Sequence, residues 1–163
     1  MTDNMTDMTL TFTLNGQRCT QQVAANELLI DHLHAQHEAY GAKIGCSRGV
    51  CGACTVLLDG RPVAACSVFA FQVHGRHLLT IEGVGKDTAD PVQQAFTDHA
   101  AFQCGYCTPG MVLLVKALLT HQRHPDRATI LEWLSSNVCR CTGYMQIIAA
   151  VEDAVAKLNG SAS

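Results

Sequence analysis

The stretch "GCSRGVCGACTVLLDGRPVAACS", residues 45–67, carries Cys46, Cys51, Cys54 and Cys66, with glycine at positions 45, 49 and 52. Four chemistries crowd sulfur in this way: a disulfide staple, a zinc site, a dithiol redox pair, or a loop wrapped around an iron-sulfur cluster. The spacing C-x4-C-x2-C with a more distant fourth cysteine is that of plant-type [2Fe–2S] ferredoxins. Glycines let such a loop curl and let its N–H groups approach the sulfurs. "TVLLDGRPVAAC" reads as strand, Asp59-Gly60 turn and strand, so the fourth cysteine ends a hairpin that pins the loop to a sheet.

Upstream, "TLTFTL" at 9–14 alternates, with Leu10, Phe12 and Leu14 on one face, and Asn15-Gly16 supplies a two-residue hairpin turn. Pairing outward from that turn sets Leu14 against Gln17 and Phe12 against Cys19, which makes Cys19 a buried small hydrophobe rather than a ligand. Asn26 is the expected N-cap of a helix with Leu29, Ile30, Leu33 and His37 on one side, stopped by Gly41. A further strand is expected in "HLLTIEG". Together these make an α+β unit over residues 1–83. From 84 to 163 helix signals dominate: Asp90 before Pro91, Thr108 before Pro109, "ATILEWLSS", and a periodic set Tyr144, Ile148, Val151, Val155 and Leu158 ending at Gly160. Four helices are expected there, with a boundary near 83–89 and a frayed "NGSAS" tail.

This helical half carries a second sulfur set, Cys104 and Cys107 in "QCGYCTPG" and Cys139 and Cys141 in "VCRCTG". Each pair precedes a helix start, where N–H groups and the positive end of the helix dipole favour an anionic thiolate cluster. Zinc competes here, because C-x2-C is a common zinc knuckle, although the one-residue gap between Cys139 and Cys141 is not. The contrasting functional class is therefore a zinc-stabilised interaction module. A thioredoxin-like dithiol lacks its βαβ surroundings, and none of the eight histidines stands at a ligand position beside either set, which disfavours a Rieske centre.

The net charge of -3, with 11 Lys and Arg that form no cluster, argues against nucleic acid. The longest apolar run, "MVLLV" at 111–115, is far too short to span a membrane. The first ten residues show no export signal, so a cytoplasmic location is expected, and nine cysteines in a reducing compartment indicate metal or redox chemistry rather than disulfides. His32, His34 and His37 read as a half-exposed helix face, Trp133, Leu113, Leu114 and Leu118 as core, and Tyr106 as packing beside a cluster. No nucleophile with its base and no phosphate loop is present, so the chain is expected to carry electrons rather than to act on a substrate.

"GCSRGVCGACTVLLDG", "FQCGYCTPGM" and "NVCRCTGY" together closely resemble the small iron-sulfur subunit of the molybdenum hydroxylases, the xanthine dehydrogenase family, over residues 9 to 155. The resemblance implies an N-terminal β-grasp, ferredoxin-like domain and a C-terminal four-helix bundle domain, each with one [2Fe–2S] cluster. It implies Cys46, Cys51, Cys54 and Cys66 as ligands of one cluster, and Cys104, Cys107, Cys139 and Cys141 as ligands of the other. Gln103 stands where the family's glutamine touches the pterin of a molybdenum cofactor held by a separate large subunit. A medium subunit carrying FAD, and a dimer of heterotrimers, are implied in the same way. Two departures are Ser136, where relatives often have Gly, and His34, where many have Arg.

Overall fold

The computed structural model describes residues 8–86 and 88–160. The start of the export-signal reading (1–7) and the end of the expected frayed tail (161–163) lie outside them. Strands β1 (Met8–Leu14) and β2 (Gln17–Val23) form the hairpin about Asn15 and Gly16, whose φ values of 50° and 83° suit a primed turn. Its register is the expected one, with Leu14 opposite Gln17 and Phe12 opposite Cys19. Strands β3 (Thr55–Leu58) and β4 (Arg61–Ala64) turn at Asp59-Gly60 in the same way, and β5 (His77–Leu79) completes a sheet of order β2-β1-β5-β3-β4. Strand β5 runs parallel to β1 and antiparallel to β3. It stops earlier than "HLLTIEG" predicts, because Asn15 captures Thr80: Thr80 N–H donates to Asn15 Oδ1 (2.9 Å), and the Asn15 amide donates to Thr80 Oγ1 (3.0 Å).

Helix α1 (Leu29–His37) is shorter than expected at both ends. Leu28 is held extended in a bridge to Phe69, through Leu29 N–H to Val68 O (2.8 Å) and Ala70 N–H to Glu27 O (2.8 Å), so the helix starts only after it and Asn26 does not cap it. At the other end Glu38 takes a left-handed φ of 50° and stops the helix three residues before Gly41. The expected half-exposed histidine face holds at His34 and His37 and fails at His32. His32 is fully buried against Phe12 and His37, with Nδ1 on Glu27 Oε1 at 2.9 Å, because this side of α1 lies on the sheet.

The remaining helices are α2 (Pro91–Asp98), α3 (Thr108–His121), α4 (Arg127–Leu134) and α5 (Met145–Gly160). Asp90 caps α2 by accepting from the N–H groups of Val92 and Gln93, and Asp126 caps α4 by accepting from Thr129 N–H. Helix α5 continues through Asn159, whose side-chain amide reaches Arg123 O (3.3 Å), so this part of the expected tail is helical.

One apolar cluster, including Phe12, Leu29, Leu33, Val56 and Leu58, fills the space between the sheet and α1, and a second, including Phe96, Met111, Leu118, Ile130 and Ile147, lies among α2–α5. Strand β3 joins them because its side chains alternate faces: Val56 and Leu58 enter the first, while Leu57 packs with Val84, Leu113 and Ala117 of α3. Burial on both faces explains why this strand reads as the unbroken run "TVLL". The contact brings the loop before β3 against the start of α3, and with it the two sulfur sets.

Candidate metal centre

In the 45–54 loop, left-handed backbone at Ser47 (φ 53°), Gly49 (φ 70°) and Gly52 (φ 72°) turns successive N–H groups inward. Those of Arg48, Val50 and Cys51 each reach Cys46 Sγ at 3.4 Å, and that of Gly49 reaches Cys66 Sγ at 3.3 Å. The donors of Cys51, Arg48 and Val50 pull the Cys46 thiol down to about 6, the behaviour of a site built for thiolate. Burial pushes Cys54, at the foot of β3, up to about 11, so a free chain keeps that sulfur protonated and metal must displace the proton. Cys66 sits in a single 3-10 turn, Ala65–Ser67, directly after β4 and is buried, as the hairpin reading requires. Gly45 is needed for space rather than for φ, since a Cβ there would lie 2.8 Å from Cys51 Sγ.

Cys104 and Cys107 lie on the loop entering α3, with Cys107 as the N-cap of the helix. Cys139 and Cys141 lie between α4 and α5. The Sγ atoms of Cys104 and Cys141 are 3.5 Å apart, the thiols of Cys107 and Cys139 lie close enough to act on each other, and Thr142 Oγ1 is 3.1 Å from Cys139 Sγ. Burial pushes Cys107 up to about 12, whereas the N–H of Tyr106 lowers Cys104. Burial acts most strongly on Cys139 and raises it, but hydrogen bonds from Thr142 and its neighbours outweigh burial and leave the thiol lowered. The sequence gives no sign of the brace behind this loop. Tyr144, in left-handed backbone (φ 68°), accepts from Cys139 N–H (2.9 Å) and donates from the same hydroxyl to Asn137 O (2.8 Å).

The two sets share one groove of about 290 Å³, walled by Cys46 and Cys51 on one side and by Cys104, Cys107, Cys139 and Cys141 on the other. Hydrogen bonds cross between the loops: Val138 N–H to Cys51 O (2.8 Å), the Asn137 side-chain amide to Gly52 O (3.1 Å), and Tyr106 Oη–H to Ile44 O (2.8 Å). Tyr106 thus ties the loops together as well as packing beside them. Gly52 and Gly110 allow the close approach. A Cβ on Gly52 would lie 2.6 Å from Ser136 O, and one on Gly110 would lie 2.9 Å from the Asn137 amide nitrogen. Gln103 is exposed beside Cys104, and Arg140 is exposed at the rim.

This donor set fits iron-sulfur clusters. Each set offers four cysteines drawn together in sulfur pairs, Cys46 with Cys51, Cys54 with Cys66, Cys104 with Cys141 and Cys107 with Cys139. N–H donors already point at Cys46 and Cys66. Among the described residues no three His, Cys, Asp or Glu side chains converge as they would on a single metal ion.

Residues 4–103 match the family described as "2Fe-2S iron-sulfur cluster binding domain", and residues 80–152 match "[2Fe-2S] binding domain". The chain is 45% identical to the nicotine 6-hydroxylase small subunit of Paenarthrobacter nicotinovorans, over 86% of each chain. It is 43% identical to the nicotinate dehydrogenase small FeS subunit of Eubacterium barkeri, over 93% of this chain and 97% of that one. It belongs to the small iron-sulfur subunit family of the molybdenum hydroxylases. A solved structure agrees with this membership: quinoline 2-oxidoreductase from Pseudomonas putida 86 superposes with a TM-score of 0.89 at 38% identity, covering 96% of this chain and 98% of that one. The two family matches divide the sulfur sets between them, since 4–103 holds Cys46, Cys51, Cys54 and Cys66 and 80–152 holds Cys104, Cys107, Cys139 and Cys141. As in the sequence reading, no helix among the described residues is long and apolar enough to cross a membrane.

Proposed function

We propose that this chain is the electron-transfer subunit of a molybdenum-dependent oxidoreductase, with one [2Fe–2S] cluster held by Cys46, Cys51, Cys54 and Cys66 and a second by Cys104, Cys107, Cys139 and Cys141. The observation that carries this reading is the gathering of two four-cysteine sets, six of whose members, Cys46, Cys51, Cys104, Cys107, Cys139 and Cys141, line one groove, with Cys54 and Cys66 buried. Each bound cluster supplies one-electron redox chemistry without proton or group transfer. The protein supplies the surroundings. N–H donors at Cys46 and Cys66 stabilise negative charge on sulfur and so raise the potential of that site, while burial of Cys54, Cys66 and Cys139 excludes water. Two exposed edges give an entrance and an exit. Gln103, Cys104 and Cys141 are open to solvent at one sulfur set, and Arg48, Gly49 and Val50 at the other.

In this reading the Gln103 edge faces the pterin of a large molybdenum subunit, and the 46–66 loop passes electrons to FAD in a medium subunit, within a dimer of heterotrimers in the cytoplasm. The β-sheet with α1 forms a β-grasp, ferredoxin-like domain over 1–83, and α2–α5 form a four-helix bundle domain over 84–163. The separate cores, one between the sheet and α1 and one among α2–α5, support that division.

Anaerobic reductive titration of the purified chain tests the reading. Uptake of two electrons with two distinguishable paramagnetic signals is expected, and uptake of one electron or none overturns it. In the assembled complex Gln103→Ala is expected to keep both signals but slow their reduction by substrate by about tenfold, the lower range for losing an outer-shell partner. Stopped-flow absorbance reads this, and an unchanged rate, under conditions limited by that transfer, removes Gln103 from the coupling role.

A further inference from the structure

We propose that Asn137 is a positioning residue that fixes the separation of the two sulfur sets and thereby the rate at which one electron passes between them. The inference rests on the proposed occupancy of both sets. The transfer itself oxidises one site and reduces the other by a single electron, with no proton or co-reactant.

Asn137 is fully buried and anchored in its own loop before its side chain reaches across. Its N–H donates to Leu134 O (3.2 Å), and its carbonyl accepts from Tyr144 Oη–H (2.8 Å). The side-chain amide then donates 3.1 Å to Gly52 O, a residue flanked in sequence by Cys51 and close to Cys54. With the adjacent Val138 N–H to Cys51 O bond (2.8 Å), it makes a two-point clamp, which fixes orientation as well as distance.

Stability alone does not account for this amide. Gly52 O already accepts from Thr55 N–H (3.0 Å) and Thr55 Oγ1 (2.7 Å), so it would not be orphaned without Asn137. The other end of the amide, Oδ1, is buried with no partner, a burden that an apolar side chain of the same shape would avoid. What the amide adds is a fixed cross-link between the backbone carrying Cys51 and Cys54 and the backbone carrying Cys139 and Cys141. Electron exchange falls exponentially with separation, so a cross-link at this point acts on rate while leaving every ligand in place.

The test uses Asn137→Leu in the full chain. Full iron and labile sulfide, an unchanged thermal midpoint, a weakened magnetic dipolar splitting between the two reduced centres, and intramolecular transfer slowed by about tenfold are expected. Full loading with unchanged splitting and rate overturns the proposal. If the leucine variant loads less iron, Asn137→Asp decides, since its carboxylate keeps the shape but cannot donate to Gly52 O. Full loading with weakened splitting supports the proposal, whereas reduced loading of both variants makes Asn137 a folding residue and overturns it. Absence of dipolar splitting in the wild-type protein sinks the two-cluster reading itself, whereas wild-type splitting that the variants preserve sinks this inference alone.

Discussion

Gly52→Ala is expected to abolish iron loading at both sulfur sets. At φ 72° an alanine incurs about 1–2 kcal/mol of left-handed strain. The larger effect is steric, since its Cβ would fall 2.6 Å from Ser136 O and 2.8 Å from Asn137 Cα, backbone atoms that cannot rotate away. The 51–53 and 136–138 segments must separate, which breaks the Val138 N–H to Cys51 O bond and moves Cys51, Cys54 and Cys139 together. A useful contrast is Gly60→Ala in the β3–β4 turn. Its φ of 78° is as unfavourable, but nothing lies within 4 Å of the added carbon, so a loss of about 1–2 kcal/mol with full iron content is expected. Metal analysis with a urea titration separates the two, and wild-type iron in Gly52→Ala would show that the loops do not meet as described.

The second large effect is expected from Cys139→Ser, which should halve the iron content and remove one paramagnetic signal while leaving the other. The serine hydroxyl stays protonated where the thiol, hydrogen-bonded by Thr142 against the effect of burial, is lowered towards thiolate. The signal that survives should be the one lost in Cys54→Ser, because the sulfurs associate within each set. Cys19→Ser is the control. Cys19 lies opposite Phe12 in the β1–β2 hairpin and is packed against the first core, with its thiol on Gln17 O at 3.5 Å, so both signals should persist. Electron paramagnetic resonance of the three reduced variants checks all of this, and loss of a signal in Cys19→Ser would contradict the division of ligands.

Which parts of this arrangement are legible in the sequence follows from the range of the forces involved. Both hairpins are, because Asn15-Gly16 and Asp59-Gly60 need only their own left-handed backbone to turn. The start of α2 is, because Asp90 and Pro91 act within one turn. The true start of α1 is not, because the bridge that holds Leu28 extended comes from residues 68–70. His32 reads as half exposed since a helix face shows its period but not what lies upon it. The spacing of the cysteines names two sets, yet nothing in it joins them. The joints are Tyr106 to Ile44 and Asn137 to Gly52, contacts 62 and 85 residues apart in the chain. Ser47 takes a left-handed turn usually assigned to glycine, and Tyr144 does the same without a local signal.

The most direct measurement is iron and acid-labile sulfide per chain in anaerobically purified protein. Two irons and two sulfides for each four-thiolate set, and so four of each per chain, are expected. Stoichiometric zinc with no labile sulfide would contradict the assignment of both sulfur sets.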